Sequence, residues 1–215
     1  MTAAIVLAAG LSSRMGRFKL TLPWGDRTVI GHVVATLEAA GVAEIIVVTG
    51  HRADEVAAAL ADTTAHAVHN PDYAAGEMLS SIQAGLRALQ ARRGLKPPPQ
   101  AGESRLKPAG STPAALLCLG DQPQMQVATV QAVLAAGEAD GRDRIIIPSY
   151  RMRAGHPILL PNWLWPEILG CTGTLRDVMA AHRDRTRFLV VDTPTILADL
   201  DTPEDYEAGT LRRET

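Results

Sequence analysis

Continuous apolar runs that each stop at a small or polar residue are what most constrain this chain. AAIVLAAG (3–10), EIIVVTG (44–50), AALLCLGD (114–121) and RIIIPSY (144–150) show no polar alternation. Such strands are buried on both faces, which is the habit of parallel sheets with helices on either side. The segments between them carry helical spacing. Val29, Ile30, Val33, Val34 and Leu37 fall on one helix face, with Thr28 placed to cap it and Gly41 to end it. Further helices are expected over ADEVAAALA (53–61), 78–93, ATVQAVLAAGEAD (128–140), TLRDVMAAHRD (174–184) and from Pro203, a natural first-turn residue. Weaker strands are expected at AHAVHN (65–70), GHPILL (155–160) and RFLVVD (187–192). The fold expected is α/β, in three layers α/β/α around a mostly parallel sheet, with residues 1–215 as one domain. The stretch 95–113, rich in proline, glycine and polar residues, reads as a long surface loop.

Composition removes several functions. The formal net charge is −2, and aromatic residues are only 4% of the chain, so neither a basic field nor a stacking platform favours nucleic acid. No run approaches the roughly 20 apolar residues of a membrane span. Residues 1–9 lack the charged start and long apolar stretch of a signal peptide. Cys118 sits inside an apolar run and reads as a buried hydrophobe, and the two cysteines form no CxxC. A reducing, cytoplasmic location is expected.

Parallel sheets bind ligands at the carboxyl ends of their strands, so those loops carry the functional signal. LAAGLSSRMGRFKL (7–20) follows the first strand with two glycines, two serines and three cations. Glycine admits close backbone approach to phosphate, Arg14 offers a fork of donors and Lys19 a compact charge. The spacing is neither GxxxxGK[ST] nor GxGxxG, so a surface loop with solvated cations is the competing reading. Asp121, directly after the third apolar run, suits either a turn before Gln122-Pro123 or a hard divalent cation. Asp199 and Asp201 stand on alternate residues, Asp201 as a helix cap or a second carboxylate for the same ion. Cations facing two acids across one cleft suit phosphoryl or nucleotidyl transfer. Met78, Trp163 and Trp165 read as packing residues.

Five segments occur in the order seen in MobA-like nucleotidyltransferases: LAAGLSSRMGRFKL, NPDYAAGEMLSSI (70–82), LGDQP (119–123), GHPILL and DLDTPEDY (199–206). The chain resembles the molybdenum cofactor cytidylyltransferase branch, and the LAAG form, through Ala9, is similar to the cytidine-using members. The resemblance implies a Rossmann-like nucleotidyltransferase fold and transfer of CMP from CTP to molybdopterin with release of pyrophosphate. It implies that Arg14, Lys19 and Asp121 are catalytic, and that Leu7, Ala8, Ala9, Gly10 and Ser12 wrap the triphosphate. Asn70, Gly76, Ser80 and Ser81 would meet the base and ribose. Asp121 and Asp201 would ligate Mg2+, and Gly155 and His156 would face the acceptor, with a structural histidine as the other reading of His156. Transient contact with a molybdoenzyme is implied as well. One segment departs from the pattern: where this branch typically shows Gly-Asp-x-Gly-Ala-Arg, the chain has GCTGTLRDVM (170–179). A sugar-1-phosphate nucleotidyltransferase and a non-catalytic nucleotide-binding protein that delivers a cofactor are the competing functions.

Overall fold

The computed structural model describes residues 2–75, 78–94 and 114–214. The loop expected over 95–113 and the candidate Gly76 lie outside the described residues. Among the described residues there are ten strands, β1 (Thr2–Ala8), β2 (Pro23–Trp24), β3 (Arg27–Thr28), β4 (Ile45–Thr49), β5 (His66–His69), β6 (Ala114–Leu119), β7 (Ile145–Tyr150), β8 (Arg153–Ala154), β9 (Ile158–Pro161) and β10 (Thr186–Val190). The helices are α1 (Val29–Ala39), α2 (Ala53–Ala59), α3 (Met78–Arg92), α4 (Val127–Ala139), α5 (Trp165–Gly170), α6 (Leu175–Ala180) and α7 (Pro203–Glu214).

One sheet runs in the order β10-β7-β9-β6-β1-β4-β5, with β8 paired to β7, while β2 and β3 form a separate two-stranded ribbon. Strand β1 lies between β4 and β6 and is parallel to both, and β4–β5 and β7–β10 are parallel too. Strand β9 runs against both β6 and β7, and β8 runs against β7, so the sheet is mixed on that side of β1. All five residues of β4 are buried, as a strand covered on both faces requires.

Alternate residues of β1 show the layers directly. Ala4, Val6 and Ala8 enter a core with Ile30, Val33 and Leu37 of α1, Val56 of α2 and Val130 and Val133 of α4. Ala3 and Ile5 enter the opposite core with Ile82, Leu86 and Leu89 of α3, Trp165 and Ile168 of α5 and Val178 of α6. The expected three-layer α/β/α architecture is therefore present. Thr28 caps α1 through its hydroxyl, which accepts from Gly31 N at 3.1 Å, and Gly41 follows the helix at φ 88°.

Several boundaries differ from expectation. The helix expected over 174–184 stops at Ala180 and continues as a single 3-10 turn at Arg183–Arg185. Helix α5 arises in a stretch with no assignment from sequence, because Trp165 buries itself and donates its indole N–H to Leu160 O at 3.2 Å. Packing of one large side chain outweighs the weak periodicity of a six-residue helix.

A third, smaller cluster positions the far end of the chain. Trp24, Val29 and Leu200 are buried together, with Leu22 and Tyr206 against them. The Tyr206 hydroxyl donates to Pro23 O at 2.5 Å, which ties α7 to the β2–β3 ribbon. Leu200 is fully buried, and its N–H donates to Asp121 O at 3.0 Å. With Leu200 as the peg, its neighbours Asp199 and Asp201 are carried to the carboxyl edge of the sheet.

Candidate active site

The β1-to-α1 connection leaves the sheet at Ala9 and turns on two left-handed residues, Ser12 (φ 55°) and Gly16 (φ 66°), on either side of a 3-10 turn at Ser13–Met15. Met15, Phe18 and Leu20 are buried beneath it, so the loop is anchored by apolar pegs while its polar groups face outward. The Ser12 hydroxyl accepts from Lys19 N at 3.3 Å, which closes the loop on itself. Glycines at two other strand ends admit this packing. A Cβ on Gly50 would come 2.5 Å from Tyr73 Cβ and 2.9 Å from Ala9 Cβ, and one on Gly120 would come 2.8 Å from Leu7 O. Gly10 is different: a Cβ there would meet nothing within 4 Å, and its φ is not in the left-handed range. No internal contact demands glycine at position 10.

Four charged side chains meet beside this loop. The Lys19 ammonium lies 2.5 Å from Asp121 Oδ2 and 3.4 Å from Asp201 Oδ1, and the Arg14 guanidinium lies 3.0 Å from Asp201 Oδ2. Lys19 comes from the N-terminal loop, Asp121 from the end of β6 and Asp201 from the turn before α7, positions 102 and 182 residues away from the lysine. The lysine is almost enclosed, whereas Arg14 stands 72% exposed at the rim. Asp201 is not the helix cap. Thr202 and Asp205 form a reciprocal pair at the start of α7, Thr202 Oγ1 accepting from Asp205 N and Asp205 Oδ2 accepting from Thr202 N, and this leaves the Asp201 carboxylate to the cations. Those bonds hold the Asp205 carboxyl below its usual range. Burial acts on Asp199 in the opposite sense and pushes its carboxyl up, against a 2.6 Å hydrogen bond from Gln122 Nε2 and with Asp121 and Asp201 adding to the rise.

A cavity of about 470 Å³ opens on this cluster. Leu7, Ala8, Ala9, Gly10, Ser12, Arg14, Lys19, Ser81, Asp121 and Asp201 line it, so ten of the sequence candidates share one space. Asn70 and Ser80 stand behind its wall. Asn70 is 2% exposed and its amide nitrogen donates to Ser80 Oγ and Ser81 Oγ, both at 3.0 Å, while its carbonyl takes Asp72 N at 3.1 Å. Asn70 thus makes a turn through Asp72 N and also fixes the serine that faces the cavity. Gly155 and His156 line neither this cavity nor the one beside it. Gly155 packs against Ile196, whose carbonyl would lie 2.2 Å from an added Cβ and accepts His156 N at 3.1 Å. Burial pushes the His156 imidazole down to about 4, with Asp121 opposing the shift.

Met78 corrects the sequence expectation: it does not pack in the core but stands 53% exposed and lines the cavity. Trp163 and Trp165 do pack, Trp163 beneath the Arg185 guanidinium at 3.6 Å. Sequence reasoning missed Tyr73, which lines the cavity, and the engagement of Asp199 and Gln122. Tyr73 and Gln122 fall inside quoted motifs, and Asp199 stands two residues before Asp201, so position relative to a strand end was the available signal. The departing segment GCTGTLRDVM is explained locally: Thr174 and Asp177 form the capping box of α6, which holds the Asp177 carboxyl low.

Among the described residues no group of three or more His, Cys, Asp or Glu is arranged to hold a metal ion. Asp121 and Asp201 nevertheless reach one shared cation position, the one that the Lys19 ammonium takes. Two hard oxygen donors facing an open cavity fit a magnesium-type ion whose remaining ligands come from phosphate and water.

Known nucleotidyltransferases resemble this chain in sequence and in fold. The model of the MobA-like NTP transferase domain matches residues 4–187. The molybdenum cofactor cytidylyltransferase of Escherichia coli K12 is 27% identical over 203 residues, which cover 94% of this chain and 92% of that protein. Among solved structures, a nucleotidyl transferase from Methanothermobacter thermautotroptrophicus (Mth528) superposes with a TM-score of 0.75 at 27% identity, covering 99% of each chain. Rv0371c of Mycobacterium tuberculosis, solved as a complex with manganese, superposes with a TM-score of 0.66 at 28% identity over 98% of each chain.

Proposed function

The chain belongs to the MobA-like NTP transferase family, and we propose that within it this protein transfers CMP from CTP to the phosphate of molybdopterin and releases pyrophosphate. The observation that carries the reading is the convergence of Arg14, Lys19, Asp121 and Asp201 from three distant segments on one cavity. Gly10 supports it. Its lack of a side chain serves no internal contact, which is what close approach of an external phosphate requires. The Escherichia coli relative supports the choice of cytidine and acceptor.

The chemistry follows from positioning and charge neutralisation. An oxygen of the acceptor's phosphate, already deprotonated, attacks the α-phosphorus of CTP. The new P–O bond forms as the bond from the α-phosphorus to the oxygen bridging to the β-phosphorus breaks, and pyrophosphate leaves with those electrons. Lys19, freed from its carboxylate partners by the incoming triphosphate, stabilises charge at the α-phosphate, and Arg14 at the rim grips the departing phosphates. Asp121 and Asp201 would hold a divalent ion, which when bound neutralises phosphate charge. No covalent enzyme intermediate is needed.

Pyrophosphate release, measured with each of the four NTPs with and without molybdopterin, tests the reading. Release that requires both CTP and molybdopterin supports it. Release with a sugar 1-phosphate in place of molybdopterin, or nucleotide binding with no turnover for either acceptor, overturns it.

A further inference from the structure

A second cavity, of about 410 Å³, adjoins the first, and Asp199 lines both. On its other side stands the β7–β8 hairpin, whose Arg151 and Arg153 line the space with Tyr150 and Thr195. The hairpin pairs Tyr150 with Arg153 across a two-residue turn. Both turn residues, Arg151 (φ 48°) and Met152 (φ 63°), take left-handed backbone, where Asn-Gly is the ordinary choice. A turn that keeps an arginine there against its conformational cost points to a use for that side chain.

Both arginines are exposed and, among the described residues, neither forms an ion pair; Arg151 stacks 5.2 Å from the Tyr150 ring centroid. The acids of this cavity are committed elsewhere, Asp199 to Gln122 and Asp205 to the start of α7. The cavity therefore has a free cationic end at the hairpin and a carboxylate seam toward the nucleotide.

We propose that this second cavity seats the non-reacting end of the acceptor, with Arg151 and Arg153 holding a second electron-rich or anionic group on it. The inference rests on the nucleotidyl-transfer reading and deepens it. The reacting phosphate of the acceptor must lie beside Lys19 and Asp121, which line only the first cavity. Whatever fills the second cavity is then the remainder of the molecule, reached across Asp199. The acceptor class is two-ended: a phosphate monoester at one end, and a planar or sulfur-anionic group at the other that a guanidinium fork recognises. Molybdopterin has both ends, whereas a simple sugar 1-phosphate has only the first.

Arginine footprinting of the intact protein with phenylglyoxal, read by mass spectrometry, tests this without turnover. Magnesium-CTP should protect Arg14 and leave Arg151 and Arg153 reactive. Molybdopterin should protect Arg151 and Arg153, with exposed Arg87 and Arg183 as unchanged controls. Glucose 1-phosphate should protect neither hairpin arginine. The inference fails if Arg151 and Arg153 stay reactive under saturating molybdopterin, or if CTP or glucose 1-phosphate protects them. Failure of CTP to protect Arg14 is a separate result, and it counts against the nucleotide assignment alone. Kinetically, the Arg151→Asn/Arg153→Gln pair, which suits the left-handed turn at 151 and leaves a polar, uncharged side chain at 153, should raise KM for molybdopterin about tenfold or more. KM for CTP should stay within about twofold, since no nucleotide contact is altered. A loss of kcat with unchanged acceptor KM would also overturn the proposal.

Discussion

The cations of the Ala9–Phe18 loop and its sequel Lys19 are held quite differently from those of the β7–β8 hairpin. Lys19 and Arg14 each touch a carboxylate; Lys19 is almost enclosed and touches two, while Arg14 reaches its one from the rim. Arg151 and Arg153 stand in solvent with no carboxylate partner among the described residues. A cation already balanced by acids is preorganised: its geometry is set before any ligand arrives, and an incoming polyphosphate exchanges one set of anionic contacts for another. An unbalanced cation on a surface turn contributes reach and attraction but little fixed geometry. The first arrangement suits bond making, and the second suits holding one end of a substrate.

Substitutions that disturb the balanced cluster should have the largest effects. Asp121→Asn keeps shape and removes charge, so kcat should fall by roughly 10³ while Tm moves little. Thermal unfolding measured beside pyrophosphate release checks both halves. A variant that unfolds several degrees lower would reduce the carboxylate to a structural partner of Lys19. Lys19→Met should cost ~2–4 kcal/mol of transition-state stabilisation, seen as lower kcat/KM for CTP. Arg14→Ala, at the exposed rim, should cost less than either.

His156 offers a third case, a buried group that lines neither cavity. In the folded chain burial holds its pKa near 4, below the unfolded value of about 6.5. The unfolded chain therefore binds the extra proton first, and stability falls as pH drops from about 6.5 to 4, then stops changing on this account. The loss is ~3 kcal/mol at most, from 1.36 kcal/mol per pKa unit. Urea unfolding of wild type and His156→Gln across that range should converge toward low pH. Parallel curves would contradict the buried, uncharged imidazole.

The smallest effects separate two glycines of the same loop system. Gly10→Ala should leave Tm unchanged and weaken CTP binding about tenfold, because only an external ligand needs that space. Gly50→Ala should lower stability by ~1–3 kcal/mol, since its methyl would push against Tyr73 and Ala9. Equal effects from the two would remove the distinction on which the reading of Gly10 rests. Calorimetric titration and thermal unfolding supply the comparison.

Much of this was legible in the residues. Unalternated runs such as IIVVT and AALLCL led directly to central strands, because burial on both faces leaves no room for polar positions. The cation–acid cluster was legible because each member lies in a loop that follows a strand end or precedes a helix. The antiparallel direction of β9 was not, since GHPILL carries the same apolar pattern either way. Nor was the division of roles around Asn70. A buried asparagine that orients Ser81 has the same sequence signature as one that touches a ligand. Met78 was misplaced for a related reason: a methionine at the first position of α3 has helical spacing but no core above it. The pairing of two cavities across Asp199 depends on how the β7–β8 hairpin folds over the 194–198 segment, which no local pattern encodes.

Whether the balanced cluster drives nucleotidyl transfer to an acceptor phosphate can be read with CTP labelled at the α-phosphorus. Incubated with the protein, magnesium and molybdopterin, the label should move into an acceptor-linked cytosine dinucleotide, with one pyrophosphate released per label transferred. Label that stays in CTP, or that emerges as free CMP, would contradict it.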